Sequence, residues 1–572
     1  MAGNESIKTA SNYLRGTLIE SLANGITGSV TKDDTQLTKF HGIYQQDDRD
    51  IRAERRKKKL EPAYSFMIRV RVPGGVSTPQ QWLEMDRIAH EHANGTIKLT
   101  TRQAFQFHGV IKSNLKRTIR EINDSLLDTI AACGDVNRNV MCNPNPFQSR
   151  VHAGAQKLAQ QISDHLTPRT SAYHEIWLTD DEGEKHKVTK EPDVEPIYGP
   201  TYLPRKFKVV VAVPPSNDVD IFANCLGYIA IVEDDEIIGW NVTVGGGMGM
   251  THGDTQTFPR LADILGFCTP EQAVEVAEAV VRVQKEYGNR LNRKNARLKY
   301  TIENFGIEWF RNAVEQRIGY PLQPARPYKF EHNGDRFGWS QDHLGNWHYG
   351  LFVENGRLYD TEENPALTGL REIAKVHEGD FRLSANQNLV LSRIRPEKKD
   401  EIQALLDEYG LDGGQHRTAL RRNSMACVAL PTCGLSLAES ERYLPKLISD
   451  LDDVVEEAGL RDDDIVIRMT GCPNGCGRPY LGEIGFVGTG PNTYNLYLGA
   501  GFAGERLSKL YQRDVKDREI VSTLRPILLD YAQNRQAGEH FGDFTIRAGY
   551  VHATTAGNNF HENIIEREAV LA

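Results

Sequence analysis

Four of the eight cysteines fall within about fifty residues and form the strongest chemical pattern in the sequence. Cys427 and Cys433 are spaced C-x5-C, and Cys472 and Cys476 follow as C-x3-C within TGCPNGCGRP at 470–479. A structural zinc site usually has C-x2-C knuckles or nearby His pairs, which this segment lacks, whereas an iron–sulfur cubane takes four thiolates that can come from separate loops. The loop's Pro, Asn and Gly suit a tight wrap that aims amide hydrogens at sulfur. The pattern favours a large prosthetic group against this loop, with a zinc staple as the alternative.

Several cations lie on apolar strands, where a charge is costly unless an anion is present. Arg69 and Arg71 alternate along FMIRVRVPGG and are predicted to share one face of a buried strand. Lys206 and Lys208 are also two residues apart on a strand and should project together. The remaining cations of this kind are Arg102 in LTTRQAFQFHG and Arg138 in DVNRNVMC. A salt bridge explains any single member, but the number of them favours an anion-binding pocket.

Two glycine-rich segments and one histidine have more than one interpretation. GAGFAG at 499–504 fits G-x-G-x-x-G after the strand-like YNLYL, but a dinucleotide site also needs a following helix and a second strand in one βαβ unit. GGGMGM at 245–250 is its counterpart, and its backbone amides suit the carboxylates of a cofactor. His108 alternates with Phe105 and Phe107 and fits either the core or a site.

An internal repeat organises the chain. The segments 96–110 and 380–394 match in apolar alternation, and each predicts a strand, a turn and a strand. Three further pairs follow in the same order: 138–146 with 423–431, 208–215 with 465–473, and 240–249 with 494–504. This order predicts a duplicated, pseudo-twofold molecule with a cofactor cleft between the copies. TPEQAVEVAEAVVRVQKEYGNR at 269–290, with Thr269 as N-cap and Pro270 next, predicts a helix that bridges them.

Length and composition limit the class of protein. A chain of 572 residues implies several domains, and no apolar run is long enough to cross a bilayer. The net charge of -9 argues against a general nucleic-acid binder, and RAERRKKK at 52–59 is interpreted as a solvated basic face. The sparse cysteines and the absence of an export signal predict a cytoplasmic protein. The residues up to about Ser11 are expected to be disordered until a partner binds.

These motifs together resemble the sulfite and nitrite reductase family, from SNYLRG at residue 11 to FGDFTIRAG near residue 549. The C-x5-C and C-x3-C pairs with TGCPNGCGRP are highly specific to that family, and KFHGIYQQDDRDIRAER at 39–55 resembles its bacterial sulfite-reducing members. The resemblance implies an α+β fold that is internally duplicated. In it, ferredoxin-like half-domains and two α/β domains surround a central cofactor cleft.

The same resemblance suggests domain boundaries. An N-terminal, partner-contacting segment spans 1–60, the first ferredoxin-like half 61–135, and the first siroheme and substrate-side domain 136–335. The second ferredoxin-like half spans 336–410, and the cluster-binding and siroheme-binding domain spans 411–572.

The resemblance also implies the cofactors and the residues that hold them. Cys427, Cys433, Cys472 and Cys476 are implied ligands of a [4Fe-4S] cluster, and the sulfur of Cys476 is also implied to bind siroheme iron. The implied catalytic residues of the distal pocket are Arg69, Arg138, Lys206 and Lys208. The implied cofactor-binding residues are Arg102, His108, Asn474 and Cys476.

The implied activity is the six-electron reduction of sulfite to sulfide, for cysteine biosynthesis. A nitrite reductase of the same fold is the main alternative, because nitrite enzymes tend to carry Asn where this chain has Lys208. An electron-transfer protein and a zinc-stapled module explain less, since neither needs the cationic pocket. No flavin or nicotinamide domain is recognisable, so the implied electron donor is an NADPH-oxidising flavoprotein subunit, with ferredoxin as the second candidate.

Overall fold

The structure is a computed structural model that describes residues 3–144, 149–170, 177–188 and 195–567. Asn145 and Pro146 of the repeat segment 138–146 lie outside these ranges, as do both chain ends. The elements up to residue 318 are, in chain order, α1 Gly3–Ala10, α2 Leu18–Ala23, α3 Asp34–Leu37, β1 Ile43–Asp47, α4 Arg52–Lys57, β2 Tyr64–Val70, β3 Val76–Ser77, α5 Pro79–His92, β4 Ile97–Leu99, β5 Phe105–Val110, α6 Leu115–Asp124, β6 Met141–Cys142, α7 Ser149–His165, β7 Trp177–Thr179, β8 Lys185–Lys187, β9 Val209–Ala212, β10 Leu226–Glu233, β11 Glu236–Val244, β12 Asp263–Cys268, α8 Ala273–Tyr287, α9 Leu298–Phe305 and α10 Ile307–Ile318.

The second part of the chain repeats much of this order. Its elements are β13 Gly338–Gln341, β14 Trp347–Leu351, β15 Arg357–Leu358, α11 Ala366–Val376, β16 Asp380–Leu383, β17 Leu389–Ile394, α12 Lys399–Glu408, α13 Ala419–Arg422, β18 Ser424–Ala426, α14 Leu444–Glu457, β19 Ile467–Thr470, β20 Ile484–Gly490, β21 Thr493–Leu498, β22 Lys509–Lys516, α15 Ile520–Asn534 and α16 Phe541–Arg547. None of the helices in the described ranges is long and apolar enough to cross a membrane.

The two ferredoxin-like halves exchange a strand with each other. The first sheet has the order β1-β2-β5-β4-β15, and its last strand comes from the second half. The second sheet has the order β13-β14-β17-β16-β3, and its last strand comes from the first half. The edge strands pair antiparallel, with Arg357 opposite Lys98 and Phe381 opposite Ser77. Each half therefore covers an edge of the other, which removes two open sheet edges.

The two α/β units have the same sheet topology. In the first, β6, β9 and β10 run parallel and β11 and β12 follow antiparallel. In the second, β18, β19 and β20 run parallel and β21 and β22 follow antiparallel. The repeat segments lie at equivalent strands of the two units, so the predicted duplication is confirmed. The α+β class is confirmed as well.

Three hydrophobic cores underlie this arrangement. The two ferredoxin-like halves share one core, in which the rings of Trp82 and Phe381 stack at 4.7 Å between centroids. Each α/β unit has a core of its own. The halves thus form a single unit, and two smaller clusters pack the α/β units against each other, one with Ala503 against the first unit and one with Met248 against Tyr480. The domain boundaries given above remain a prediction.

Three local expectations are confirmed. The side chain of Thr269 closes a capping box with Gln272, Pro270 starts a short 3₁₀ turn, and α8 follows directly. The GAGFAG loop is followed by the antiparallel strand β22 rather than by a helix, so the βαβ unit that a dinucleotide needs is missing there. The basic segment 52–59 is largely exposed on α4, as expected of a solvated face.

The expectation of a disordered N-terminus is wrong. Residues 3–10 form α1, in which Glu5 and Lys8 are buried. The ammonium of Lys8 donates to the carbonyl of Leu203 at 2.7 Å and lies 3.4 Å from the carboxylate of Asp135. Composition alone suggested mobility, but these buried polar contacts anchor the helix to the first α/β unit.

A buried carboxylate links the two copies of the repeat. Asp220 of the first α/β unit pairs with Arg468 on β19 at 2.7 Å and with Arg478, which follows the C-x3-C loop. Burial would raise the pKa of Asp220, but the two guanidiniums hold it below its usual value. Arg478 also donates to the carbonyls of Thr101 and Ala385, at 2.9 and 2.8 Å. Thr101 and Ala385 are equivalent positions in the repeat, so one arginine contacts both halves at their shared axis.

Asp220→Asn should lower stability by about 3–5 kcal/mol, because it leaves two buried guanidiniums without an anion. Asn tolerates the left-handed backbone of residue 220, so the change acts on the charge. Urea and thermal unfolding of the purified variant measure this loss. The matched control is Glu457→Gln, which breaks an exposed pair with Arg525 and should cost less than about 1 kcal/mol. Equal effects of the two changes would contradict the linking role of Asp220.

Candidate metal centre and cationic pocket

Two parallel strands bring the two cysteine pairs together. Cys427 directly follows β18, and Cys472 comes two residues after β19. Because β18 and β19 are parallel neighbours, their carboxyl ends meet at one edge of the sheet. Cys433 and Cys476 lie in the loops that continue from these ends. The C-x5-C and C-x3-C pairs, distant in sequence, therefore face one another.

Backbone and side-chain donors point at the sulfur atoms. The amide of Gly471 donates to the sulfur of Cys427 at 3.4 Å, and the side-chain amide of Asn474 donates to that of Cys472 at 3.5 Å. This matches the sequence expectation that the loop aims N–H groups at sulfur and gives Asn474 a defined contact. Such donors stabilise thiolates and the sulfurs of a cluster.

The thiols are crowded enough to perturb one another. Burial and the charge of Cys476 raise the pKa of Cys427 well above its ordinary value. The same two causes raise the pKa of Cys433, and that of Cys472 to about 11. Without a positive ion, this arrangement disfavours thiolates. A metal centre would reverse the balance, because coordination deprotonates thiols outright.

The spacing of the thiols distinguishes between metals. In the described ranges, the one group of three or more ligand atoms all within 4.8 Å of one another is Glu91, His92 and Glu121. The sulfur atoms of the four cysteines do not all lie within 4.8 Å of one another. Tetrahedral zinc with bonds near 2.3 Å holds its sulfurs about 3.8 Å apart. The zinc alternative therefore fits poorly. A cubane, which binds each thiolate at a separate corner, accommodates a wider set.

Two charged groups support the cluster loops from outside. Arg49 donates to the carbonyls of Cys433 and Ser436, at 3.0 and 2.7 Å. Glu441, whose amide donates to the carbonyl of Cys427 at 3.1 Å, pairs through its carboxylate with Lys98 and Arg357. Burial would raise the pKa of Glu441, but these two cations lower it to about 2. The Lys98–Glu441–Arg357 network fastens the Cys427 loop to the paired strands β4 and β15.

Cys476 differs from the other three thiols because it is exposed. It acts electrostatically on those thiols. The charge of Arg297 and burial lower the pKa of Lys206, burial lowers the pKa of Arg297, and the charge of Cys476 offsets a small part of each shift. Cys476 therefore lies between the thiol cluster and a group of cations. The four cysteines outside the cluster are all buried, as predicted: Cys133, Cys142, Cys225 and Cys268.

Lys206 and Lys208 lie at the centre of the cationic pocket. The charge of Arg297, burial and the charge of Lys208 hold the pKa of Lys206 well below its usual value. Burial, together with Arg102 and Arg297, lowers the pKa of Lys208 to about 7. In the part of the chain that the structure describes, neither ammonium has a carboxylate partner. A fold that crowds unpaired cations in this way favours a site for an anion.

Arg138 lowers the pKa of both lysines, and Arg69 and Arg138 both act on Tyr44, while their place in one substrate pocket stays a prediction. Arg69 donates to the side-chain oxygen of Gln106 at 2.7 Å and to the sulfur of Cys133 at 3.2 Å. Arg138 donates to the carbonyl of Gly134 and to the hydroxyl of Tyr44. Both guanidiniums are held by neutral groups and keep their positive charge available for an anion.

Arg102 and His108 are buried more deeply. Arg102 donates to the carbonyls of Asn139 and Val209 and to the side chain of Asn224, and burial lowers its pKa to about 9. His108 accepts from Gln106 at 2.8 Å, and burial holds its pKa well below the ordinary value. It is thus a neutral histidine one step behind Arg69. A direct cofactor contact for either residue stays a prediction.

Arg71, which the sequence grouped with Arg69, is not one of the cations without a carboxylate partner. Arg71 lies just past the end of β2, and its guanidinium forms a two-point ion pair with Asp128. It also donates to Ser163 at 3.1 Å. Arg71 therefore has its anion within the protein, which is the salt-bridge explanation that the sequence left open, and a shared face with Arg69 stays a prediction.

Sequence reasoning missed Arg297, Arg205 and Arg49. Arg297 sits at the N-cap of α9 and is one of the strongest influences on both pocket lysines. Arg205 precedes the lysine pair, and burial lowers its pKa to about 9. The only sequence signal for Arg205 was its place in PRKFK. Arg297 precedes its helix, so it is not part of a repeating pattern that could have predicted its position.

Family models match more than half of the chain. The nitrite and sulphite reductase 4Fe-4S domain matches residues 158–322, and the nitrite/sulfite reductase ferredoxin-like half domain matches residues 58–125 and 340–409. The matched 4Fe-4S range is the first copy of the repeat. The four clustered cysteines lie at equivalent loops of the second copy.

Curated relatives cover almost the whole length. The chain is 61% identical over 560 residues to the sulfite reductase [NADPH] hemoprotein beta-component of Anoxybacillus flavithermus, covering 98% of this chain and 97% of the relative. It is 58% identical to the protein of that name from Staphylococcus saprophyticus, covering 97% of each. Among solved structures, the Mycobacterium tuberculosis NirA protein matches with a TM-score of 0.77 and 26% identity over 96% of both chains.

In protein prepared without prosthetic groups, Lys208→Met should raise the free energy of unfolding at pH 6.5. This gain over wild type should become smaller as the pH rises toward 9.5. The folded pKa near 7 lies below the unfolded value near 10.4, so the unfolded chain binds more protons between them and stability rises with pH there. The variant removes the cost of burying the charge, which is full below pH 7. Urea midpoints across this range test it, with exposed Lys57→Met as the control. An effect of Lys208→Met that does not vary with pH would refute the assignment.

Proposed function

The chain belongs to the nitrite and sulfite reductase family, and on that premise we propose that it is the heme-bearing component of a sulfite reductase. It takes sulfite to sulfide in six one-electron steps at a siroheme coupled to a [4Fe-4S] cluster. Nitrite reduction to ammonia by the same centre is the alternative. Near-full-length relatives at about 60% identity that carry the sulfite reductase name support sulfite.

The position of Cys476 carries this proposal. Its sulfur is the exposed member of the thiol group and interacts electrostatically with the pocket cations as well as with the other thiols. A single sulfur placed in this way suits a ligand shared by a cluster on one side and a heme iron on the other. Such sharing shortens the electron path and pushes electron density toward the distal ligand.

The residues present fit both prosthetic groups. Cys427, Cys433, Cys472 and Cys476 would hold the cluster, with donors from Gly471 and Asn474 to two of the sulfurs. Siroheme carries many carboxylates, and the unpaired cations Arg102 and Arg297 would meet them. Together the two groups supply stored electrons and a metal that can bind sulfur.

The pocket residues perform the acid–base and binding parts of the reaction. Arg69 and Arg138 stay protonated, so they bind and orient the anionic substrate. Lys206 and Lys208 neutralise the same anion. Their electrostatic interaction with it becomes stronger as negative charge develops on the oxygen that leaves as water. With its pKa near 7, the Nζ of Lys208 can give a proton to that oxygen and regain one from solvent.

We propose that the electrons come from another polypeptide. The relatives are named as NADPH hemoprotein beta-components, and the G-x-G-x-x-G loop of this chain lacks the helix of a dinucleotide site. We therefore propose an NADPH-oxidising flavoprotein subunit as the donor, with ferredoxin as the second candidate. Eight free thiols are consistent with the reducing cytoplasm, where we place the protein.

Cys476→Ser should abolish assembly of both groups, because one sulfur serves two metals. Iron and acid-labile sulfide per chain, and the heme absorbance, should fall to background. Cys268→Ser replaces a buried lone cysteine and should leave all three at the wild-type level. A Cys476→Ser protein that keeps its heme and its cluster would rule out the shared ligand.

Turnover with a reduced viologen dye tests the substrate and the lysines together. The purified protein should show a much larger kcat/KM for sulfite, measured as sulfide, than for nitrite, measured as ammonia. Lys206→Met and Lys208→Met should retain the heme and cluster spectra while kcat for sulfite falls by about 100-fold or more, the usual contribution of a positioned acid.

Lys208→Asn gives a sharper comparison, since it introduces the residue that the nitrite enzymes tend to carry. It should shift the ratio of kcat/KM values toward nitrite. A wild-type preference for nitrite would overturn the substrate assignment, and near-normal sulfite turnover in both methionine variants would overturn the role in proton delivery. Exposed Lys57→Met serves as the control and should behave as wild type.

A further inference from the structure

Lys299 is a buried lysine whose Nζ donates to three backbone carbonyls and lies over the rings of Phe258 and Tyr300, 5.9 and 4.9 Å from their centroids. It lies on α9 and is fully shielded from solvent. Its Nζ donates to the carbonyls of Gly247 and Gly249, at 3.2 and 2.8 Å, and to that of Phe258. No carboxylate oxygen of the described ranges lies within 4.0 Å of it. Such a costly buried charge implies a task beyond packing.

The two glycine carbonyls belong to the GGGMGM loop. In a trans peptide the C=O and the following N–H point in opposite directions. By holding the carbonyls of Gly247 and Gly249, Lys299 therefore fixes the N–H groups of Met248 and Met250 on the side away from itself. The N–H of Arg260 also donates to the Gly247 carbonyl, at 3.0 Å, so Lys299 shares the first peptide with Arg260 and ties it to the second in a loop whose glycines would otherwise allow many conformations.

The second of these donors reaches the cluster loop. The N–H of Met250 donates at 2.9 Å to the carbonyl of Pro473, the residue after Cys472. The loops also approach closely at Gly475, where a Cβ atom would lie 3.1 Å from the carbonyl oxygen of Met248. A chain of direct contacts therefore runs from Lys299 through one peptide to the C-x3-C segment.

The first donor has no acceptor within the described part of the protein. Met248 is buried, so an N–H left unpaired there would cost free energy. Arg297, which donates weakly to the carbonyl of Gly249 at 3.4 Å, lies beside the same loop. An oriented amide next to an arginine is suited to a carboxylate of a bound cofactor.

We propose that Lys299 is a positioning residue for the prosthetic group. It sets the 245–250 loop so that the amide of Met248 receives a macrocycle carboxylate while that of Met250 holds the cluster loop. This inference rests on the proposed function, because it takes siroheme as the anion. The role is indirect, since Lys299 itself does not touch the cofactor.

The test is Lys299→Met in the full-length holoenzyme, with the heme-to-cluster ratio as the readout. We expect the ratio to fall by about 10-fold or more, the scale seen when groups that orient a metal ligand are removed. Hydrogen exchange should rise in peptides covering 245–250 and stay unchanged at the equivalent loop 499–504. Lys299→Gln keeps hydrogen-bond donors, so its heme-to-cluster ratio should lie between those of wild type and Lys299→Met. It replaces the methionine variant if that protein does not fold.

Lys509→Met is the matched control. Lys509 is also a buried ammonium, and it donates to the carbonyls of Asn559, Phe560 and Glu562. The Lys509→Met protein should be less stable than wild type but should keep its heme. A wild-type ratio and unchanged exchange in Lys299→Met and Lys299→Gln would overturn the inference, as would an equal loss of heme in Lys509→Met. A wild-type protein that binds no heme would refute the proposed function itself.

Discussion

Concentrating like charges inside the protein is the constraint on which the rest of this structure depends. The charge of Arg297 and burial lower the pKa of Lys206, and burial with the charges of Arg102 and Arg297 lowers that of Lys208. No carboxylate in the described ranges neutralises the two lysines. Such a group is unfavourable until an anion arrives. The fold must therefore hold the pocket in place by contacts made elsewhere.

Carboxylates at the rim of the site provide those contacts. Asp220 joins Arg468 and Arg478 across the two copies, and Glu441 joins Lys98 and Arg357 beside the Cys427 loop. Ion pairs thus stabilise the scaffold, whereas Lys206 and Lys208 have no carboxylate partner in the described ranges. The strand exchange between the ferredoxin-like halves makes this scaffold rigid, because each half completes the sheet of the other.

The sequence predicted the features that depend on local spacing or on repetition. The duplication, the four clustered cysteines and the cap of α8 could all be derived from residue order. The partners of single side chains could not. Arg71 was expected beside Arg69, but its anion, Asp128, lies far along the chain. Lys299 and Arg297 gave no signal, because their roles arise only where α9 meets the 245–250 loop, about fifty residues away in sequence. The order of α1 was missed because composition does not reveal a buried ion pair.

Mössbauer spectroscopy of the purified protein enriched in ⁵⁷Fe tests the central claim most directly. If the sulfur of Cys476 is shared, the unpaired spin of the heme iron must reach the cluster, so the cluster irons should show magnetic splitting that changes with the heme's oxidation and ligand state. Cluster signals that stay diamagnetic and independent of the heme would contradict a shared sulfur and would separate the two redox groups.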